Sequence, residues 1–147
     1  KAFKQCNSNL KLVIVGSADH KDEYSESLLK QQSKNIVFAG RRSGNELHAL
    51  YKHARVFVLP SYHEGLPIVA LEAISAGAEV LLSDISPNLD IEAPRDSYFP
   101  VGNINDLSKK INSVELLQLE IDREKFLLAF NWDQIALSTL EHIKQLG

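Results

Sequence analysis

Apolar runs and segments of helical period alternate along almost the whole chain. Leu10-Lys11-Leu12-Val13-Ile14-Val15-Gly16 is a β-branched run closed by glycine, the pattern of a buried strand. An amphipathic stretch from Asp22 to Gln32 predicts a helix. Ile36-Val37-Phe38 predicts a short second strand ending near Gly40. Ser43 or Asn45 is placed to cap a helix through Glu46-Leu47-His48-Ala49-Leu50-Tyr51. Val56-Phe57-Val58-Leu59 predicts a third strand, stopped by Pro60, and Pro67 to Ala76 a helix that Gly77 terminates. Glu79-Val80-Leu81-Leu82-Ser83 predicts a fourth strand and Tyr98-Phe99-Pro100-Val101 a short fifth. From about Asn105 onward the pattern is helical.

Strands separated by crossover helices cannot pair as hairpins. They pair in parallel, with right-handed connections that put helices on both faces. The expected fold is α/β: a Rossmann-like parallel sheet in one domain over residues 1–147. No internal repeat and no linker rich in Pro, Gly or Ser divides it. Ligands of such sheets bind outside the carboxyl ends of the strands, which directs attention to the loops after Gly16, Phe38, Leu59 and Leu82.

Composition narrows the function classes. With 147 residues, 44% of them hydrophobic, the chain can build a real core. A net charge of −3 argues against a nucleic-acid partner, which calls for a basic stripe. The one cysteine, Cys6, can form no internal disulfide, so a reducing cytoplasm is expected. No apolar run approaches the roughly 18 residues that span a bilayer, which leaves a peripheral membrane role open. There is no methionine, and Lys1-Ala2-Phe3-Lys4 reads as the tail of a helix, so upstream sequence is expected to be missing.

The segment from Leu59 to Ala73 carries the chemistry. It runs strand, loop, helix. Pro67 has no N–H to lose in a first helical turn, and Gly65 lets the backbone approach a ligand closely. Free amides at Gly65, Leu66 and Ile68, with the positive end of the helix dipole, would make an anion site. Glu72 stands alone on a helix that is apolar nearly all round, and a buried carboxylate must find hydrogen-bond donors. Two vicinal hydroxyls of a ribose would satisfy it, and Glu64, at the helix mouth, could do the same for a sugar beside the phosphates. Bland alternatives stay open. Glu72 can pair with a neighbouring Arg or Lys, Glu64 can be a solvated loop carboxylate, and Gly65 can be turn chemistry alone.

These residues resemble the group 1 glycosyltransferases, the family 4 type of the GT-B fold. Its pattern, Pro-Ser-x-x-Glu-Gly and then Leu-Glu-Ala, is matched by Pro60-Ser61-Tyr62-His63-Glu64-Gly65 and Leu71-Glu72-Ala73. The similarity extends to Leu12–Gly16, Val37–Gly40, Leu50-Tyr51 with Ala54, Ala76-Gly77, Val80–Asp84 and Asn131-Trp132. The resemblance implies the C-terminal, donor-binding half of a retaining enzyme that uses a nucleotide-diphosphate sugar, UDP- or GDP-linked, with no metal and no other cofactor. Glu64 would be the catalytic-site carboxylate, contacting the transferred sugar. Gly65, Leu66 and Pro67 would border the diphosphate, Glu72 would hold the ribose, and Gly40 and Arg41 would lie against the base. Arg42 is a surface charge or a second candidate there, and His63 is given no catalytic role. Consistently, no Asp-x-Asp pair lies near a strand end.

The family's upstream Gly-Arg and Lys have no counterpart after Lys1, and its acceptor site lies on an N-terminal domain that this chain lacks. The fragment is therefore expected to bind donor weakly and to transfer nothing alone. The resemblance further implies a lipid-linked or saccharide acceptor, surface-glycan synthesis, and a place in the cytoplasm or at the inner face of its membrane. Two other readings compete: a nucleotide-binding or nucleotide-sugar epimerase-like α/β domain without transfer activity, and an interaction domain. The first strand-to-helix loop, Gly16-Ser17-Ala18-Asp19-His20, has neither a GxGxxG nor a Walker A pattern.

Overall fold

A computed structural model describes residues 1–7, 9–18 and 22–145. Asp19 and His20, part of the first strand-to-helix loop, lie outside the described residues. In chain order, β1 (Leu12–Val15), α1 (Glu23–Leu29), β2 (Ile36–Gly40), α2 (Gly44–His53) and β3 (Phe57–Leu59) alternate. Then follow α3 (Ile68–Ser75), β4 (Val80–Ser83), α4 (Ser86–Leu89) and β5 (Tyr98–Phe99). The chain closes with α5 (Ile104–Asn112), α6 (Arg123–Ala129) and α7 (Trp132–Gln145). Every strand pair is parallel, as the alternation requires. The ladder is divided, however: β1 pairs with β2, while β3, β4 and β5 form a separate sheet in that order.

The core lies on both faces of the second sheet. β4 is buried along its whole length, so its alternate side chains serve two clusters. Val80 and Leu82 meet Tyr51 of α2, Ala70 and Ile74 of α3 and Phe126 of α6. Leu81 and Phe99 meet Leu107 and Ile111 of α5 with Ala2, Val114 and Leu119. At roughly 1.5–3 kcal/mol for each large aliphatic removed from water, this strand anchors the domain. β1, expected to be buried, is not. Leu12 and Ile14 are half-buried, but Val13 and Val15 remain 42% and 38% exposed, because one face of this strand has no cover among the described residues.

Local signals account for most boundaries. Asp22 accepts from the Ser25 amide at 2.7 Å and Ser25 Oγ accepts from the Asp22 amide, a capping box that starts α1 and holds the Asp22 carboxyl below its ordinary range. α2 begins after Ser43, whose side chain makes no cap bond. Gly77, at φ +89°, ends α3: its amide reaches Ile74 O at 2.9 Å and that of Ala78 reaches Ala73 O at 2.9 Å, a Schellman pair. The helical pattern after Asn105 resolves into three helices. Asn103 starts α5 by accepting from the Asp106 amide, Asp122 starts α6 through Lys125, and Asn131 starts α7 through Asp133 and Gln134. At the amino ends of β3 and β4, Arg55 bonds both Glu79 and Glu115; the guanidinium holds the Glu115 carboxyl below its ordinary range.

Candidate functional site

The β3–β4 ladder ends at the pair Leu59–Leu82. Pro60 follows and has no N–H with which to continue it. The chain then turns across the carboxyl end of the sheet and enters α3. Within this turn Ser61 Oγ donates to Glu64 Oε1 at 2.6 Å, which fixes the half-buried carboxylate and leaves Oε2 with no partner among the described residues. Glu64 is thus held in place rather than left as a freely solvated loop charge.

The entrance to α3 differs in detail from the sequence expectation. Pro67 is not the first helical residue; at φ −77° and ψ 64° it occupies the cap position and centres an inverse γ-turn. That turn uses the Ile68 amide, which donates to Leu66 O at 2.8 Å, so Ile68 offers no free donor. The amides of Gly65 and Leu66 stay unbonded among the described residues, and so does that of Val69, which sequence reasoning overlooked. Three donors at the positive end of an eight-residue helix still suit an anion.

Glu72 also departs from expectation. α3 buries Ala70, Leu71, Ala73 and Ile74, but Ile68, Val69 and Glu72 form an exposed side. The carboxylate therefore sits in solvent one turn beyond the helix mouth, and the argument from a costly buried charge does not apply to it. Its partner is the hydroxyl of buried Tyr51, which donates to Oε2 at 3.2 Å. No ion pair reaches Glu72 among the described residues. Burial, and then the neighbouring Glu72 charge, push the Tyr51 phenol up to about 12. No sequence signal links positions 51 and 72; only the packing of α2 on α3 brings them together.

Gly65, Leu66 and Pro67 line one small cavity with the apolar Leu71, Pro87, Ile91 and Phe130 and the acidic Asp90. Its volume is about 60 Å³, room for a few waters and far below the roughly 300–1,000 Å³ of a small-molecule pocket. Neither Glu64 nor Glu72 lines it; Glu64 is half-buried and Glu72 exposed. A larger hollow of about 320 Å³ beside Gly77, Glu79, Leu119 and Arg123 lies at the opposite end of α3. Gly40 ends β2 in the other sheet and Arg41 follows it; neither shares a hydrogen bond with the Glu64 turn among the described residues. Gly40, at φ +68°, accepts from the Gly16 amide at 3.0 Å, Arg41 is exposed, and Arg42 pairs with Glu46 at 3.7 Å. His63 is exposed. Among the described residues no group of His, Cys, Asp and Glu is clustered to hold a metal ion.

The family model described as glycosyl transferases group 1 matches residues 1–127. The chain belongs to that family. It is 34% identical over 135 residues to the N,N'-diacetylbacillosaminyl-diphospho-undecaprenol alpha-1,3-N-acetylgalactosaminyltransferase of Campylobacter jejuni, covering 89% of this chain and 34% of that protein. It is 28% identical over 167 residues to the lipopolysaccharide 1,2-N-acetylglucosaminetransferase of Salmonella typhimurium, covering 98% of this chain and 43% of that one. The chain therefore spans less than half the length of either curated relative. The catalytic domain of the cholesterol-alpha-glucosyltransferase from Helicobacter pylori superposes with a TM-score of 0.64 at 24% identity, over 96% of this chain and 86% of that one. This likeness establishes the fold as that of a GT-B glycosyltransferase domain.

Proposed function

We propose that this domain binds the donor of a retaining glycosyltransferase, a nucleotide-diphosphate sugar carrying UDP or GDP, and presents it to an acceptor held by a separate N-terminal domain. The observation that carries this reading is the Glu64 turn: a carboxylate fixed by Ser61 beside the unbonded amides of Gly65, Leu66 and Val69 at the mouth of α3. Sugar–phosphate cleavage through an oxocarbenium-like state leaves growing negative charge on the diphosphate. Fixed amides and the helix end oppose that charge without reorganising, so the reading assigns its stabilisation to the main chain rather than to a metal. Glu64, through its open Oε2, orients the sugar hydroxyls and does not attack the anomeric carbon. Glu72, already oriented by Tyr51, holds the ribose, and Gly40 with Arg41 borders the base.

The exposure of Gly65, Leu66 and Glu72 supports a two-domain arrangement, since water is excluded only when a second body covers the phosphates. The names of the relatives from Campylobacter jejuni and Salmonella typhimurium, one acting on a diphospho-undecaprenol-linked sugar and one on lipopolysaccharide, support a lipid-linked or saccharide acceptor in surface-glycan synthesis. The reading places the enzyme in the cytoplasm or at the inner face of its membrane. No helix among the described residues is long and apolar enough to cross a membrane.

In the full-length enzyme, Glu64→Ala should lower kcat by about 100-fold, about 3 kcal/mol of transition-state stabilisation. Glu72→Ala should chiefly weaken donor binding, because its contact persists from ground state to transition state. Steady-state kinetics and calorimetric titration of UDP- and GDP-sugars measure both. Wild-type turnover in the Glu64 variant would reject its assigned role.

A further inference from the structure

A chain of buried groups under the Glu64 turn has no part in the reading above. Ser83 and Asn88 are completely buried, at 0% exposure, in an otherwise apolar region. Ser83, the last residue of β4, directs its hydroxyl across to the turn and donates to Ser61 O at 2.6 Å. It stands just past the point where Pro60 ends the ladder, so this side-chain bond replaces the next inter-strand bond. The one hydroxyl proton of Ser83 is thereby committed, and Oγ is left as an acceptor. Asn88, in α4, fills that role: its Nδ2 donates to Ser83 Oγ at 3.1 Å and to Ser83 O at 2.9 Å. The main chain of Asn88 is pinned in turn, its carbonyl accepting from the Tyr98 hydroxyl at 3.2 Å while that hydroxyl accepts from the Ala93 amide at 2.8 Å. At the other end the side chain of Ser61 donates to Glu64 Oε1. The path from the rigid end of β4 to the candidate carboxylate is continuous.

We infer that Asn88, Ser83 and Ser61 form a positioning relay that sets the direction of the Glu64 carboxylate toward the donor sugar; the inference rests on the proposed role of Glu64. Ser83 fixes the main chain of residue 61 and Asn88 fixes the rotamer of Ser83. Ser61 then holds one oxygen of Glu64 so that the other faces outward. Losing the Ser83 bond leaves the carbonyl of half-buried Ser61 without that partner and frees the turn on which both ends of the Ser61–Glu64 bond ride. A shift of about 1 Å in a positioning group is enough to cost one to two orders of magnitude in turnover.

The test is a pair of double-mutant cycles in the full-length enzyme: Ser83→Ala and Ser61→Ala, each in wild type and in Glu64→Ala, with Ser61→Thr as the conservative variant. In wild type each alanine variant should lower kcat by about tenfold with donor KM changed less than about threefold, and Ser61→Thr should restore most of the loss. In the Glu64→Ala background the same changes should cost less than about twofold, since the group they direct is gone. Equal losses in both backgrounds, or wild-type kcat in the alanine variants while Glu64→Ala is impaired, would overturn the relay alone. Wild-type kcat in Glu64→Ala would overturn the role of Glu64 and the relay with it. Should Ser83→Ala fail to fold, the Ser61 cycle decides, because Ser61 is only half-buried whereas Ser83 is fully buried.

Discussion

Tyr51→Phe isolates one bond while keeping the packing around it. The ring is buried, 8% exposed, and meets Phe57 edge-on with centroids 5.5 Å apart, a contact that phenylalanine retains. Only the hydroxyl donation to Glu72 Oε2 is lost. A hydrogen bond to a charged group contributes about 1.5–3 kcal/mol when well formed. This one, at 3.2 Å, is longer than the usual O–H···O distance, and water can replace it on the exposed Glu72 side. The expected loss is therefore about 1 kcal/mol, or about 3 °C in Tm for a domain of this size.

The pH dependence gives a second, independent readout. The Tyr51 phenol is raised from its ordinary value of 10.0 to about 12, first by burial and then by the Glu72 charge. A raised value means that the folded chain holds the proton where the unfolded chain has begun to release it. The stabilisation is complete below pH 10 and fades as pH climbs from about 10 to about 12. The difference between wild type and Tyr51→Phe should accordingly be constant from pH 7 to 9 and narrow above pH 10. Guanidinium unfolding of both chains across that range measures it. Equal midpoints at pH 8 would refute a stabilising Tyr51–Glu72 bond, and a gap still undiminished at pH 11 would refute the raised value of the buried phenol.

Two further substitutions probe the frame that carries the turn. Leu82→Ala removes a fully buried side chain from the middle of β4 and should cost about 3–5 kcal/mol in chemical denaturation; a loss below about 1 kcal/mol would mean that the two-faced core is wrongly described. Gly102→Ala imposes a side chain at φ +75° with its Cβ 3.1 Å from Tyr62 Oη, so stability should fall by about 1–2 kcal/mol and the Tyr62 ring should move, as its fluorescence or ring-proton NMR shifts would report. An unshifted Tyr62 signal would remove that contact from the account.

Periodicity by itself determined the order of the strands and of the helices between the first four, and hence their parallel pairing, because crossover helices leave no other geometry; the one-turn α4 between β4 and β5 is too short to show a period. Glycine and proline marked two ends: Gly77 stops α3 and Pro60 stops β3. The spacing of Glu64 and Glu72 in a strand-loop-helix frame was likewise legible, since it depends on chain-local geometry. Quantities set by contacts between distant segments were not. An apolar run does not say whether one face of β1 is covered or whether β1 hydrogen-bonds to β3, and the structure leaves that face open and that ladder divided. An apolar helix does not announce which of its faces is solvated, so Glu72 was placed in the core and found in solvent beside Tyr51. Nor can a sequence join Ser83 to Ser61, 22 residues earlier, by a bond between a side chain and a carbonyl that any residue possesses. Local pattern is written in neighbouring residues, whereas burial and hydrogen-bond partnership are properties of surfaces that exist only after the chain has closed on itself.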